Sequence, residues 1–293
     1  MQFEQLTIHD IPRVSPFFSM LKSRTCDFTV GGMFMWRDYY RMEYSIEDGT
    51  FYSRLFDENG LPHYNLPIGP DIGRAIDDVV LYEKQFRRVV RFCTVPEEYI
   101  GCFSSKDLLH EKTEQDSYFD YLYAASDLAE LHGKKYSGQR NQISQFLRAN
   151  DNWSFKPIRD VDIRDVISFF QTSYHTAEHA SAYELEENSK ALEVLENLDQ
   201  YRMLGGVLFS GEKIVGFALG EAVNDTLYTH IEKADRNCKG AYQMLVNQFS
   251  KEFASGPVAY INREEDMGDP GLRIAKQAYH PLMQLKKYSI EVK

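Results

Sequence analysis

Arg236, Lys239 and Gly240 stand between a stretch of strand character, TLYTHI (226–231), and an amphipathic helix pattern, AYQMLVNQFSKEFA (241–254). Positive side chains are electrostatically misplaced at a helix start, which already carries partial positive charge. An anion resolves the conflict. Free N–H groups of a first helical turn, two cations and a glycine that lets the backbone come close together make a phosphate or pyrophosphate site. The plainer alternative is a solvated loop with two surface cations.

A second cluster follows the strand-like VAYIN (258–262): Arg263, Glu264, Glu265 and Asp266. Three carboxylates beside an arginine can bind an amine and accept its proton. Acidic residues ahead of a helix are also simply favoured by its dipole. Glu232, at the C-terminal end of the preceding strand, joins this cluster in one cleft if the two strands are neighbours. The ends of strands near a phosphate loop are where α/β sheets take substrates. Lys134 and Arg140 lie in HGKKYSGQRNQISQFLR (132–148), the most basic stretch of the chain. That stretch suits a phosphate, a carboxylate or the tRNA backbone; its alternative is an ordinary solvated helix start. HTAEH (175–179) has the spacing of an inverted zinc-protease motif, but no third ligand is evident and no metal is expected. There is no G-x-S-x-G elbow, P-loop or G-x-G-x-x-G after a strand, so serine hydrolase, P-loop nucleotidase and Rossmann dehydrogenase readings lack support.

The elements that must position these residues come in two sets. FEQLTIHDIPRVSPFF (3–18) aligns without a gap to FKPIRDVDIRDVISFF (155–170), matching Phe3/Phe155, Asp10/Asp162, Ile11/Ile163, Val14/Val166, Phe17/Phe169 and Phe18/Phe170. Each copy is a short extended start, an Asp able to cap a helix, then apolar residues at helical spacing. The offset is about half of the 293 residues, as a duplication gives. Strand pairs follow each copy, around EDG (47–49) and SGE (210–212), and both halves go on to alternate helix and strand. The expected fold class is therefore α/β (α+β layered), with domains 1–150 and 151–293.

Composition is that of an ordinary globular protein, 43% hydrophobic and 26% charged, with a formal net charge of −11. That balance opposes non-specific binding to nucleic acid or anionic lipid. Cys26, Cys93, Cys102 and Cys238 have no metal-type spacing and read as reduced thiols of a cytoplasmic protein. The first residues lack a signal-peptide pattern. IVGFALG (214–220), the best apolar run, is far too short to cross a bilayer.

The loop Arg236-Asn-Cys-Lys-Gly240-Ala241 resembles the pyrophosphate loop of the GNAT acetyltransferase superfamily, Q/R-x-x-G-x-G/A, with one residue more before the glycine and a single glycine. The resemblance implies coenzyme A or acyl-CoA as donor, held around Lys233, Arg236, Asn237, Cys238, Lys239, Gly240, Ala241 and Tyr242. LRIAKQAYHPLMQLKKY (272–288) resembles the superfamily's A-x-x-L-Y helix, with Ala275 and Tyr279 in place and Leu272 where an asparagine is usual. That match implies Tyr279 as the acid that protonates a departing thiolate. Three longer stretches, 120–146, 230–243 and 260–288, look like the C-terminal domain of phosphatidylglycerol lysyltransferases and its standalone bacterial relatives. Those are tandem GNAT-like folds, each unit a mixed, mostly antiparallel sheet flanked by helices.

The resemblance implies an acyltransferase with its cleft in the second half. Catalysis falls to Glu232 as base, with Glu265 or Asp266 as a second choice, and to Tyr279 as acid; Arg263, Glu264, Lys134 and Arg140 would bind substrate. The acceptor is an amine, either a small molecule or a lipid. Two rival readings follow: an aminoacyl-tRNA donor, which the basic 132–148 segment favours and the net charge disfavours, and a non-catalytic ligand-sensing module.

Overall fold

The computed structural model describes residues 1–103, 110–114, 116–174 and 182–292. Two compact units divide the chain: Met1–Asp120 with Glu265–Pro270 and Gln284–Lys293, and Tyr121–Glu264 with Gly271–Met283.

The sequence repeat is a structural repeat at its start. In the first unit β1 (Glu4–Gln5), a 3-10 turn (Ile8–Asp10) and α1 (Ile11–Phe18) follow one another. After α2 (Val30–Phe34) come β2 (Glu43–Glu47) and β3 (Thr50–Phe56). Their two-residue turn holds Asp48 and Gly49 at φ 50° and 74°, the left-handed pair that a tight hairpin demands. β4 (Pro62–Tyr64), α3 (Ile72–Lys84), β5 (Val90–Pro96) and β6 (His110–Glu114) complete this stretch. Asp71 caps α3 by accepting from Arg74 N, and its apolar residues Ala75, Ile76 and Val79 are buried at helical spacing.

The second set begins with β7 (Asp120–Ala124), α4 (Ala125–Glu130) and α5 (Ser137–Ala149). The repeated start is β8 (Trp153–Pro157), a 3-10 turn (Ile158–Asp160) and α6 (Ile163–Tyr174). Next are α7 (Ala182–Glu196), α8 (Leu198–Tyr201), β9 (Leu204–Ser210), β10 (Lys213–Val223), β11 (Thr226–Ala234), α9 (Ala241–Phe253), β12 (Tyr260–Asn262), α10 (Pro270–Gln277), β13 (Met283–Leu285) and β14 (Lys287–Val292).

Sheet order confirms the repeat. One sheet runs β1-β2-β3-β4-β5-β14-β6 and the other β8-β9-β10-β11-β12-β7-β13. Position by position they match, and the parallel pair falls at the same place, β4 with β5 and β11 with β12. Only the sixth position is crossed: β14, the last strand, completes the first sheet, and β7 completes the second. The boundary expected at 150/151 consequently falls inside the second unit. β7 pairs antiparallel with β12, and α4 and α5 pack on α9, so residues 121–150 belong with the second core.

That core gathers Tyr121, Tyr123, Leu128, Tyr136 and Phe146 with Leu227, Leu245, Phe249 and Ile261. Ala241, Leu245 and Phe249 form the buried stripe of α9 that their spacing predicts.

Candidate functional site

β11 and β12 pair in parallel over only three residues, ending at Tyr228 opposite Asn262. Beyond that point β11 continues to Ala234 along β10, while Arg263 stays in register with β7, donating its backbone N–H to Tyr121 O. The pairing of the two strands therefore ends, and Glu232 and Arg263 meet beyond it.

Arg263 holds Glu232 with two hydrogen bonds, Nε to Oε1 at 3.2 Å and Nη2 to Oε2 at 2.5 Å. Burial opposes the Arg263 charge, but the Glu232 carboxylate outweighs it and raises the guanidinium pKa. Each Glu232 oxygen accepts from Arg263, so the carboxylate anchors the guanidinium in this arrangement. The guanidinium lies 4.8 Å from the centre of the Tyr279 ring and 5.9 Å from that of Tyr123. Tyr279 is placed just past α10, not on it. Its carbonyl accepts from Tyr136 Oη, and the preceding Ala278 O accepts from Gln139 Nε2. On α10 Leu272 and Ile274 are exposed, and the side that packs inward carries Lys276, whose ammonium donates to Arg263 O. Burial pushes the Tyr279 phenol pKa up, with Arg263 pulling it only partly back, so the hydroxyl keeps its proton at neutral pH.

Beside this pair lies a group that spacing did not reveal. His230 Nδ1 is 2.7 Å from Glu264 Oε1 and its Nε2 is 2.9 Å from Glu221 Oε1. Burial alone would lower its pKa, but the two carboxylate hydrogen bonds raise it to about 10. The imidazole is a buried cation between two acids. Glu264, expected to bind substrate, is instead fixed by His230, by its N–H to Asn262 Oδ1 and by its carbonyl to Tyr121 N. These ties hold it at φ 57°, a conformation that costs a non-glycine residue free energy.

The loop before α9 divides in two. Lys233 is paired with Glu187 at 2.7 Å, Asn237 N bonds Asp235, and Tyr242 Oη donates to Glu232 O. Ala241 is wholly buried, and Cys238 N and Ala241 N close local turns onto Asp235 O and Cys238 O. Arg236 and Lys239 are exposed and have no carboxylate partner among the described residues. Gly240 is explained by packing: at φ 77°, an added Cβ would lie 2.1 Å from Gln142 O on α5. The glycine lets two helices touch, which differs from the ligand approach expected of it. In the basic segment, Arg140 Nη1 donates to Leu131 O and Gly133 O beyond the C-terminus of α4, so it closes a helix end and is not placed to bind substrate. Lys135 pairs with Asp127; Lys134 is exposed. His175 and His179 lie outside the described residues.

Glu265 and Asp266, one residue further on, belong to the first unit. Glu265 joins a buried cluster around Lys287, whose ammonium is 2.7 Å from Asp120, 2.8 Å from Asp27 and 3.5 Å from Glu265. Burial raises the Asp120 carboxyl to about 7 although Lys287 pulls it down. Cys26, Asp120 and Glu265 offer ligand atoms within 4.8 Å of one another, but the lysine already supplies a cation there. Asp266 is fully buried and accepts from Gly268 N, shaping the turn before α10.

Residues 18–291 match the family described as phosphatidylglycerol lysyltransferase, C-terminal. The chain belongs to that family. Its fold is that of a crystal structure of a conserved protein of unknown function from Bacteroides thetaiotaomicron, 26% identical with a TM-score of 0.90 and full coverage of both chains. The structure of L-PGS from Bacillus licheniformis shares the fold at 14% identity, with a TM-score of 0.65 over 95% of this chain and 90% of its own. An uncharacterised protein of Mycoplasmoides gallisepticum is 25% identical over 197 residues, which are 67% of this chain and 61% of that relative. The chain thus spans about three-fifths of that relative's length. Two tandem units, each a mixed and mostly antiparallel sheet flanked by helices, are the fold class of this phosphatidylglycerol lysyltransferase-family chain; a crystal structure of FemX shares the fold at 10% identity with a TM-score of 0.54. No helix among the described residues is long and apolar enough to cross a membrane.

Proposed function

We propose that this chain transfers an aminoacyl group from an activated ester, an aminoacyl-tRNA, to an amine or hydroxyl acceptor on a lipid or small molecule. The observation that carries the reading is the end of the β11–β12 pairing after Tyr228, with Glu232, Arg263 and Tyr279 gathered beyond it. Buried polar groups at the end of a sheet suit the handling of an acyl group, and membership of the phosphatidylglycerol lysyltransferase family supports an aminoacyl group as the cargo. Arg263 and Tyr279 are donors, suited to polarising a carbonyl; the Glu232 carboxylate keeps Arg263 charged and aimed.

A second reading keeps acyl-CoA as donor. Arg236 and Lys239, exposed ahead of α9, favour it, because phosphates of either coenzyme A or tRNA would complete their charge.

The test is a transfer assay. The protein is incubated with tRNA charged with radiolabelled amino acids, or with labelled acetyl-CoA, together with phosphatidylglycerol vesicles or a panel of amines. Label moving from tRNA to an acceptor supports the first reading, and label moving only from acetyl-CoA replaces it with the second. Transfer from neither, in protein shown to be folded, rejects both.

A further inference from the structure

Tyr279 is 5% exposed and its hydroxyl has no hydrogen-bond partner among the described residues. Arg263 is 6% exposed, and its Nη1, alone of the guanidinium nitrogens, is likewise unpartnered. Buried polar atoms are almost always satisfied, and each exception calls for an explanation. Packing does not supply one. A phenylalanine would fill the space of Tyr279 without desolvating a hydroxyl, and a guanidinium is not needed to pair with one carboxylate.

The surrounding chain holds these two donors in place at some cost. Arg263 follows β12 and precedes the left-handed Glu264. Its N–H is bonded to Tyr121 O and its carbonyl to Lys276 Nζ. Glu264 is pinned by Asn262, Tyr121 and His230. Glu232 fixes the guanidinium from one side, and the Tyr279 ring lies against it. The Tyr279 backbone is tied to Tyr136. Donors made rigid before any ligand arrives, in a site without water-like surroundings, are what stabilises charge that develops during a reaction.

We infer that Arg263 Nη1 and Tyr279 Oη form a two-donor oxyanion site that receives the acyl oxygen of the donor ester. The inference rests on the acyl-transfer reading above. The acceptor's amine or hydroxyl attacks the ester carbon; a bond forms to that carbon and the C=O π pair moves onto oxygen, where Arg263 Nη1–H and Tyr279 Oη–H hold it. Collapse restores C=O and breaks the bond to the ribose oxygen, and the proton lost by the nucleophile ends on that leaving oxygen. Tyr279 keeps its own proton throughout and acts as a hydrogen-bond donor, a role distinct from acid catalysis at a thiolate. The two residues are catalytic; Glu232, His230 and Glu264 position them.

Two measurements test this. In the first, crystals of the full chain are soaked in sodium bromide and anomalous scattering is recorded. A bromide in contact with both Arg263 Nη1 and Tyr279 Oη supports the site, and no peak there overturns it. In the second, single-turnover transfer from charged tRNA is measured for the wild type, Tyr279→Phe and Arg263→Lys. Loss of one oxyanion donor typically lowers the chemical rate on the order of 10²-fold, so each variant should lose about that much while donor Kd moves less than about threefold. An unchanged rate, or a loss entirely in Kd, overturns the inference. Should Arg263→Lys fold poorly, Tyr279→Phe decides the matter alone. If the wild type transfers nothing from any donor, the acyl-transfer reading fails by itself, and the bromide result still separates an anion site from none.

Discussion

Lys287 and Asp120, the first residues of β14 and β7, form an ion pair at 2.7 Å with the lysine 3% exposed and the aspartate fully buried. Both residues belong to the first unit. Removing one partner of a buried pair leaves an uncompensated charge and costs about 3–5 kcal/mol. Lys287→Met should therefore lower the urea midpoint steeply. Unchanged unfolding would show that the cluster contributes nothing to the stability of the first unit.

Tyr279→Phe should behave in the opposite way. The hydroxyl is buried and unpartnered, so deleting it removes a desolvation penalty of roughly 1 kcal/mol or more. The variant is expected to be as stable as the wild type or more so by thermal melting, while losing turnover. A clear drop in Tm would mean that the hydroxyl has a structural partner.

Gly240→Ala should destabilise by about 2–3 kcal/mol, because a Cβ meets Gln142 O and a non-glycine residue is strained at φ 77°. Arg236→Ala with Lys239→Ala should leave the melting temperature within about 1 °C, since both side chains are exposed, and should weaken binding of tRNA or coenzyme A. Measured by calorimetry and by filter binding, the two substitutions separate the glycine's packing role from the cations' ligand role. Equal stability for Gly240→Ala would return the glycine to the ligand.

His230 gives a pH signature. Its folded pKa is about 10 against an ordinary 6.5, so folded protein holds a proton that unfolded protein releases between those values. The stabilisation is complete below about pH 6.5 and is lost as pH rises towards 10. His230→Gln should flatten the fall in stability across that window relative to the wild type. Parallel pH profiles for the two proteins would refute the buried imidazolium.

The sequence shows the duplication because Val14 and Phe18 of α1 and Val166 and Phe170 of α6 are buried at the same helical spacing, and local packing repeats in local pattern; the aspartates differ, Asp162 accepting from Arg164 N ahead of it while Asp10 bonds back to Thr7. It does not show the crossed strands. DYLYA and KYSIEV each alternate suitably for a sheet, and nothing within either says which sheet it will complete; that choice is made by hydrogen bonding to β12 and β5. For the same reason REED (263–266) could be singled out but not divided. Arg263 and Glu264 answer to Glu232 and His230, whereas Glu265 answers to Lys287. His230 carries no local signal, because its partners Glu221 and Glu264 lie 9 and 34 residues away. Tyr279 was recognisable from its motif, yet its place beyond α10 depends on Tyr136 and Gln139, which no motif includes.

The crossed sixth position also sets the order in which the protein can mature on the ribosome. Units usually fold as they are synthesised, the N-terminal one first. Here β5 and β6 remain without the strand that joins them until residues 287–292 have left the exit tunnel, whereas β7 is available to the second sheet as soon as β12 emerges. The half that is translated first is the half that is finished last, and its open β5 edge must be shielded from other nascent chains in the meantime.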